Sequence, residues 1–311
     1  MKKKTTIGGQ ALIEGIMMKG PQKISMVVRK SNGELFYEVN NLKLEDQSKL
    51  KKVPFIRGVV ILFEQLIIGT KALMKSADIA MEGIEQEPEK DWFDRLFEKE
   101  FFKRFGIKDL ALYMSLLLSI VLGMFLFVYI PTLSVHLFKN VTKDVLIYNL
   151  IEGLVRIIIF LVYLYLISQM KDIRRVFEYH GAEHKTIHAY ESGLELNIEN
   201  IKKFSTLHPR CGTSFLLIVI IISIIVFSFA GWQSIALRVF VRLLLLPVVI
   251  GISYEIIRWA GRSEGRIAKL ISVPGLYLQK ITTKEPDDSQ IEIAIEALKL
   301  VIPEDKKLDE W

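Results

Sequence analysis

The chain has 311 residues, enough for a membrane domain and one or two small soluble modules. Half of it is hydrophobic (51%) and the net charge is +6, but the basic residues flank apolar stretches and are not interleaved with exposed aromatics, which argues against nucleic-acid binding. One cysteine, Cys211, excludes an intrachain disulfide and suits a reducing compartment.

In chain order, the opening MKKKTTIGGQALIEG begins basic, but Glu14 and several glycines interrupt any apolar run, so it does not read as a signal peptide. Residues 23–39 alternate around Ser31-Asn32-Gly33 as a short β-hairpin would, and residues 7–19 offer a further strand. Residues 54–81 form a long apolar-rich helical pattern carrying Arg57, Glu64, Lys71 and Lys75. That is too polar for a membrane span, so the pattern predicts an interfacial or docking helix, with a re-entrant segment as the alternative. These elements make residues 1–84 a small N-terminal α+β region, and residues 85–108 an acidic linker with a basic flank.

Four later stretches are long and apolar enough to cross a bilayer: 110–135, 145–167, 213–230 and 235–257. They divide the rest of the chain into a first pair of spans (109–170), a His-rich loop (171–212), a second pair (213–258) and C-terminal helices (259–311). Positive charge gathers before the first span (Lys103, Arg104, Lys108), in the long loop (Lys171, Arg174, Arg175, Arg210) and after the fourth (Arg258, Arg262, Arg266). By the positive-inside rule both termini and the loop face the cytoplasm of a bacterial inner membrane. Residues 286–302 read as one amphipathic helix: Ser289 with Glu292 suggests a capping box, and Ile291, Ile295, Leu298 and Ile302 share a face. The expected fold is a mainly α-helical multi-pass membrane protein, with four transmembrane helices, the N-terminal α+β region and a C-terminal amphipathic helix.

The chemistry concentrates in the loop. Four of the five histidines and the cysteine fall between His180 and Cys211, in HGAEHKTIHAYE and HPRC. On a helix, Glu183, His180, Glu191, His184 and His188 fan across roughly 140° of one face. His180-Gly-Ala-Glu183-His184 matches H-x-x-E-H, in which two histidines bind zinc and the glutamate activates the attacking water. His208 and Cys211, spaced H-x-x-C, supply a second pair of ligand-type residues, and Thr213 or Ser214 can cap the helix that follows. The expected ligands to a divalent metal are therefore His180, His184, His208 and Cys211, with His188 and Glu191 as further candidates. Glu183 is the expected catalytic base. A sulfur ligand among imidazoles favours zinc; iron and manganese stay open if Cys211 does not ligate. A closed four-ligand set would be structural, whereas three ligands with Glu183 free would be catalytic.

Charges inside the spans are the second signal: Glu152 with Arg156, Arg242, and Glu255 near the inner end of the fourth span, where it could lie beneath the loop.

Four segments, GGQALIEGIMMKGP, FEYHGAEHKTIHAYE, HPRCGTSF and EPDDSQIEIAIEAL, together resemble the YqhQ-like family of bacterial membrane proteins. The family is defined by a domain of unknown function, and the resemblance implies a multi-pass inner-membrane protein of a kind described as a predicted metal-dependent enzyme. Its N-terminal motif points to Gly8, Gly9, Gln10, Glu14, Gly15 and Gly20, read either as a glycine-rich turn scaffold or as a segment bringing Gln10 and Glu14 to the metal or substrate. Three functions compete. The first is a metal-dependent hydrolase at the cytoplasmic face, acting on a lipid-linked, peptide or membrane-protein substrate. The second is a non-enzymatic scaffold or biogenesis factor with a structural metal, and the third a transporter using the charges within the spans.

Overall fold

The structure is a computed structural model that describes residues 4–42, 49–83, 108–136, 145–229, 235–263 and 265–309. The linker expected at 85–108 lies, apart from Lys108, outside the described residues. Four strands, β1 (Gly8–Leu12), β2 (Gly15–Lys19), β3 (Lys23–Arg29) and β4 (Leu35–Asn41), pair antiparallel in sequence order. The expected hairpin is β3–β4, with Val27 opposite Tyr37. The stretch 7–19 forms two strands rather than one, because Leu12 pairs with Gly15 and only Ile13 and Glu14 remain to turn the chain. Glu14 makes that turn at φ 51°, a left-handed conformation uncommon for a residue with a Cβ.

Helices follow in the order α1 (Ile56–Ala80), α2 (Lys108–Met124), α3 (Ile130–His136), α4 (Val145–Ile167), α5 (Lys171–Glu191), α6 (Ile198–Lys202), α7 (Gly212–Ser228), α8 (Ile235–Arg262), α9 (Arg266–Thr282) and α10 (Asp288–Lys299). Three segments are long and apolar enough to cross a membrane: Leu117–Ser134, Ile147–Ile167 and Val239–Arg262. The first runs from α2 into α3 through a π-helical turn at Phe125–Tyr129. The stretch expected as the third span, 213–230, is α7, an apolar helix of 17 residues. At 1.5 Å per residue it is about 25 Å long, against a hydrocarbon core of about 30 Å. Among the described residues, then, three helices and not four reach membrane-crossing length.

The sheet is buried on both faces because successive side chains along a strand point to opposite sides. Ile16, Met18 and Val27 face a core shared with Tyr179 and Ala182 of α5 and with Ile291, Ala294, Ile295 and Leu298 of α10. Met17, Met26 and Val28 face Ile68, Ala72 and Ile79 of α1. The helix expected at 54–81 therefore docks on the sheet by one face, while Phe63, Leu66, Ile67 and Met74 stay exposed. The apolar face expected on the C-terminal helix is correct, but its cap differs. Asp287 is the N-cap, accepting from Gln290 N at 3.0 Å, and Gln290 Oε1 returns the bond to Asp287 N at 2.9 Å. Asp287 outcompetes Ser289 because a carboxylate is the stronger acceptor for the first-turn amides; Ser289 Oγ donates to Asp287 instead.

Candidate metal centre

Helix α5 runs between the sheet and the loop 192–211, and its last three turns carry all three helical histidines. It can lie there because Gly181 has no Cβ: one would run into the Lys284 carbonyl. Each histidine is oriented by a backbone carbonyl. His180 Nδ1 donates to Thr282 O at 2.9 Å, His184 Nδ1 to Thr206 O at 2.5 Å and His188 Nε2 to Leu207 O at 2.9 Å. A carbonyl only accepts, so each of those nitrogens carries the proton and the other ring nitrogen presents a lone pair. A carbonyl on the distal nitrogen is also the usual support of a metal-binding histidine.

Cys211 completes the first group. It is the N-cap of α7, a position expected for Thr213 or Ser214, and its Sγ accepts from Thr213 N at 3.4 Å. His180 Nε2 lies 3.2 Å from that sulfur. Ligand atoms of His180, His184 and Cys211 all lie within 4.8 Å of one another. Ligands on a tetrahedral zinc are about 3.5 Å apart, so a small inward movement would fit them to the ion. Burial lowers the pKa of His184, assisted by His180, and the neutral imidazole is the form that ligates.

His208 does not join that trio. It groups with His188 and Glu191, again with ligand atoms within 4.8 Å. The expected set of four is thus divided, although its two parts adjoin: the His184 and His208 ring centroids are 5.5 Å apart and those of His188 and His208 4.6 Å. Gln279, fully buried on α9, fixes His208 by accepting from its backbone N at 2.7 Å and donating to its carbonyl at 2.8 Å. Sequence reasoning missed Gln279; the one signal was an uncharged polar residue beside Leu278 in an otherwise apolar turn. Arg210, counted before only as a positive charge, pairs with Glu191. Burial pushes the His208 pKa down to about 4. Burial would raise that of Glu191, but the interactions with His208 and Arg210 outweigh it and hold the carboxylate at about 2.

Glu183 is buried and stands apart from both groups, its Oε1 accepting from Gly9 N at 2.9 Å. Burial raises its pKa, against smaller opposing effects from His180 and the Gly9 amide.

The other candidates are engaged elsewhere. Gln10 Nε2 donates to Gly69 O of α1 at 3.3 Å. Glu14 pairs with Arg175, whose Nη2 is 2.6 Å from Oε2, and accepts from Tyr179 OH at 3.1 Å. Glu255 pairs with Arg57 of α1 and accepts from Phe55 N. Glu152 lies between Arg156 and Arg242, with Thr132 donating to it at 3.1 Å.

These features define a mainly helical protein with membrane-length helices, a small antiparallel sheet and a buried histidine-rich centre. The chain belongs to the family described as protein of unknown function DUF1385, which matches residues 53–304. It is 36% identical over 296 residues to the "Uncharacterized protein YqhQ" of Bacillus subtilis (strain 168), across 93% of this chain and 90% of that protein. The resemblance to YqhQ-like proteins therefore extends over nearly the whole sequence. No solved structure matches.

Proposed function

We propose that the protein is a metal-dependent hydrolase at the cytoplasmic face of the bacterial inner membrane, with a lipid-linked, peptide or membrane-protein substrate. The observation that carries this reading is the three-ligand group His180, His184 and Cys211, with Glu183 outside it. Three protein ligands leave a position open, as catalytic sites do and closed structural sites do not. A divalent cation, with zinc favoured by the sulfur, would supply Lewis acidity and lower the pKa of water. Glu183 would take the proton of the attacking water and pass it to the leaving group. Burial raises its pKa, the direction that makes a carboxylate a stronger base.

The orientation has a structural argument behind it. The N-terminal sheet, α5 and α10 share one core, so all three lie on the same side of the membrane. Between α5 and α10 the chain passes through α7 and α8, and α8 is long enough to cross. An even number of crossings is required, so α7 would cross as well, its shorter apolar length met by local bilayer thinning. The positive-inside rule then assigns this side to the cytoplasm.

Metal analysis of the purified protein tests the reading together with complementation of a deletion strain. Zinc bound at this group should be lost in His180→Ala and Cys211→Ala, lowering the zinc content by about one equivalent, and kept in Glu183→Gln, which should fail to complement. Full complementation by Glu183→Gln would instead favour a scaffold or biogenesis factor with a structural metal, a reading supported by the near-complete burial of His184 and Cys211.

A further inference from the structure

We infer that the loop holds a second divalent-cation site, formed by His188, Glu191 and His208 and distinct from the group around Cys211. Three observations converge. The three residues offer ligand atoms within 4.8 Å of one another. His188 gives Nε2–H to Leu207 O, which leaves its Nδ1 lone pair available. Glu191 commits Oε1 to Arg210 and to Thr5 N, while Oε2 turns toward His208 Nε2 at 3.7 Å. That last distance is too long for a hydrogen bond.

His208 Nε2 is the independent sign. The residue is 5% exposed, and this nitrogen is buried with no hydrogen-bond partner. Burying an unpartnered polar atom is unfavourable, and native proteins rarely leave one without a reason. Gln279 pins the His208 backbone from both sides, so the ring is held facing Glu191 and is not free to swing to solvent. A cation between His188, Glu191 and His208 would satisfy the nitrogen. Ligation through Nε2 would put the proton on Nδ1 and give up the long 3.3 Å contact from Arg210 N.

The donor set is two imidazoles and one carboxylate without sulfur, which accepts zinc, iron(II) or manganese. Arg210 already neutralises Glu191, so this site would bind more weakly than the thiolate site and fill second. The inference deepens the hydrolase reading, since paired cations are a common hydrolytic device. It shares no ligand with the first trio, and the two readings can therefore fail separately.

The test is cobalt titration of the full-length, metal-stripped protein in detergent. About two equivalents are expected, with the sulfur-to-cobalt charge-transfer band complete after the first and the visible d–d bands growing through the second. His208→Ala and the milder Glu191→Gln should each reduce the stoichiometry to about one and keep the charge-transfer band. Cys211→Ser should lose that band yet still bind about one equivalent. X-ray absorption of the zinc-loaded wild type avoids any folding defect in the variants: about half a sulfur per zinc is expected. About one sulfur per zinc, or unchanged stoichiometry in both Glu191→Gln and His208→Ala, overturns the second site and leaves the first standing. Sulfur-free binding that His208→Ala abolishes overturns the first and leaves the second. No binding at all overturns both.

Discussion

The amide of Gly9, on the first strand, donates to the carboxylate of Glu183, on the histidine-bearing helix, at 2.9 Å. This bond joins the glycine-rich opening of the chain to the centre of the His-rich loop. It also explains why position 9 lacks a side chain: a Cβ there would lie 2.8 Å from both Glu183 Cγ and Met18 Sδ. Met18 belongs to the packed core and cannot retreat, so the flexible carboxylate would be displaced. Gly9→Ala should retain bound metal, because no ligand is touched, and lose about a hundredfold in activity, the usual penalty for a displacement near 1 Å at a reacting group. Metal analysis alongside activity checks this; wild-type activity in Gly9→Ala would remove Glu183 from the chemistry.

Much of this site was legible as a pattern, and its division was not. The i, i+4 spacing of His180, His184 and His188 is a local property of the chain, and it forecast one helix face correctly. Which of them Cys211 and His208 would join depends on the path of residues 192–211 and on Gln279, more than seventy residues downstream of His208. Nothing in the HPRC spacing carries that information. The same limit explains Glu14 and Glu255. Glu14 was visible in the glycine-rich opening and Glu255 near the inner end of the fourth span, but their partners Arg175 and Arg57 are set by tertiary packing. The cap of the last helix was misassigned for a local reason, since Asp287 and Ser289 both precede suitable partners and only the backbone geometry chooses between them.

Glu183 should make the metal-free protein sensitive to pH in a specific direction. Burial raises its pKa in the folded chain above its unfolded value. A raised carboxylate pKa means the folded state binds the proton more tightly, so its contribution to stability is full below the unfolded pKa and is lost as pH rises through the folded one. Gln imitates the protonated form and can keep the Gly9 bond. Metal-free Glu183→Gln should therefore melt a few degrees higher than wild type at neutral pH, about what 1 kcal/mol yields in a chain of this size. The gain should vanish below about pH 4. Thermal unfolding across that range is the measurement, and a gain that grew toward acid would show the sign to be wrong.

Inside the membrane-length helices, Glu152 accepts from Arg242 at 2.8 Å and from Arg156 at 3.2 Å, and all three side chains are buried. Two guanidiniums share this carboxylate, while Arg156 also reaches the Phe127 carbonyl at 3.1 Å, within the π-helical turn, and Ser223 Oγ at 3.3 Å. Removing the acid leaves two buried cations facing each other, a change that costs about 3–5 kcal/mol when a buried pair is broken. Removing Arg156 leaves Glu152 paired with Arg242. Glu152→Ala should thus destabilise the protein in detergent far more than Arg156→Leu does. Equal effects would mean that the cluster is solvated, as a transport pathway would be, and not a structural lock.

The shared core makes a prediction about topology. Asn32, in the β3–β4 turn, and Glu304, after α10, are both exposed, and their elements share one buried cluster with α5. No membrane can pass between elements that bury Val27 and Leu298 together. In the proposed topology α8, which is long enough to cross, leaves this side and the 17-residue α7 returns the chain to it. Cysteines introduced at Asn32 and Glu304 should therefore react alike with a membrane-impermeant maleimide, labelled in inside-out vesicles and protected in intact spheroplasts. The native Cys211 is buried and contributes little background. Labelling of the two positions from opposite sides would break the shared core and with it the even number of crossings. Labelling of both only from outside would keep the fold and reverse the orientation, moving the histidine-rich centre out of the reducing compartment that suits a free thiolate.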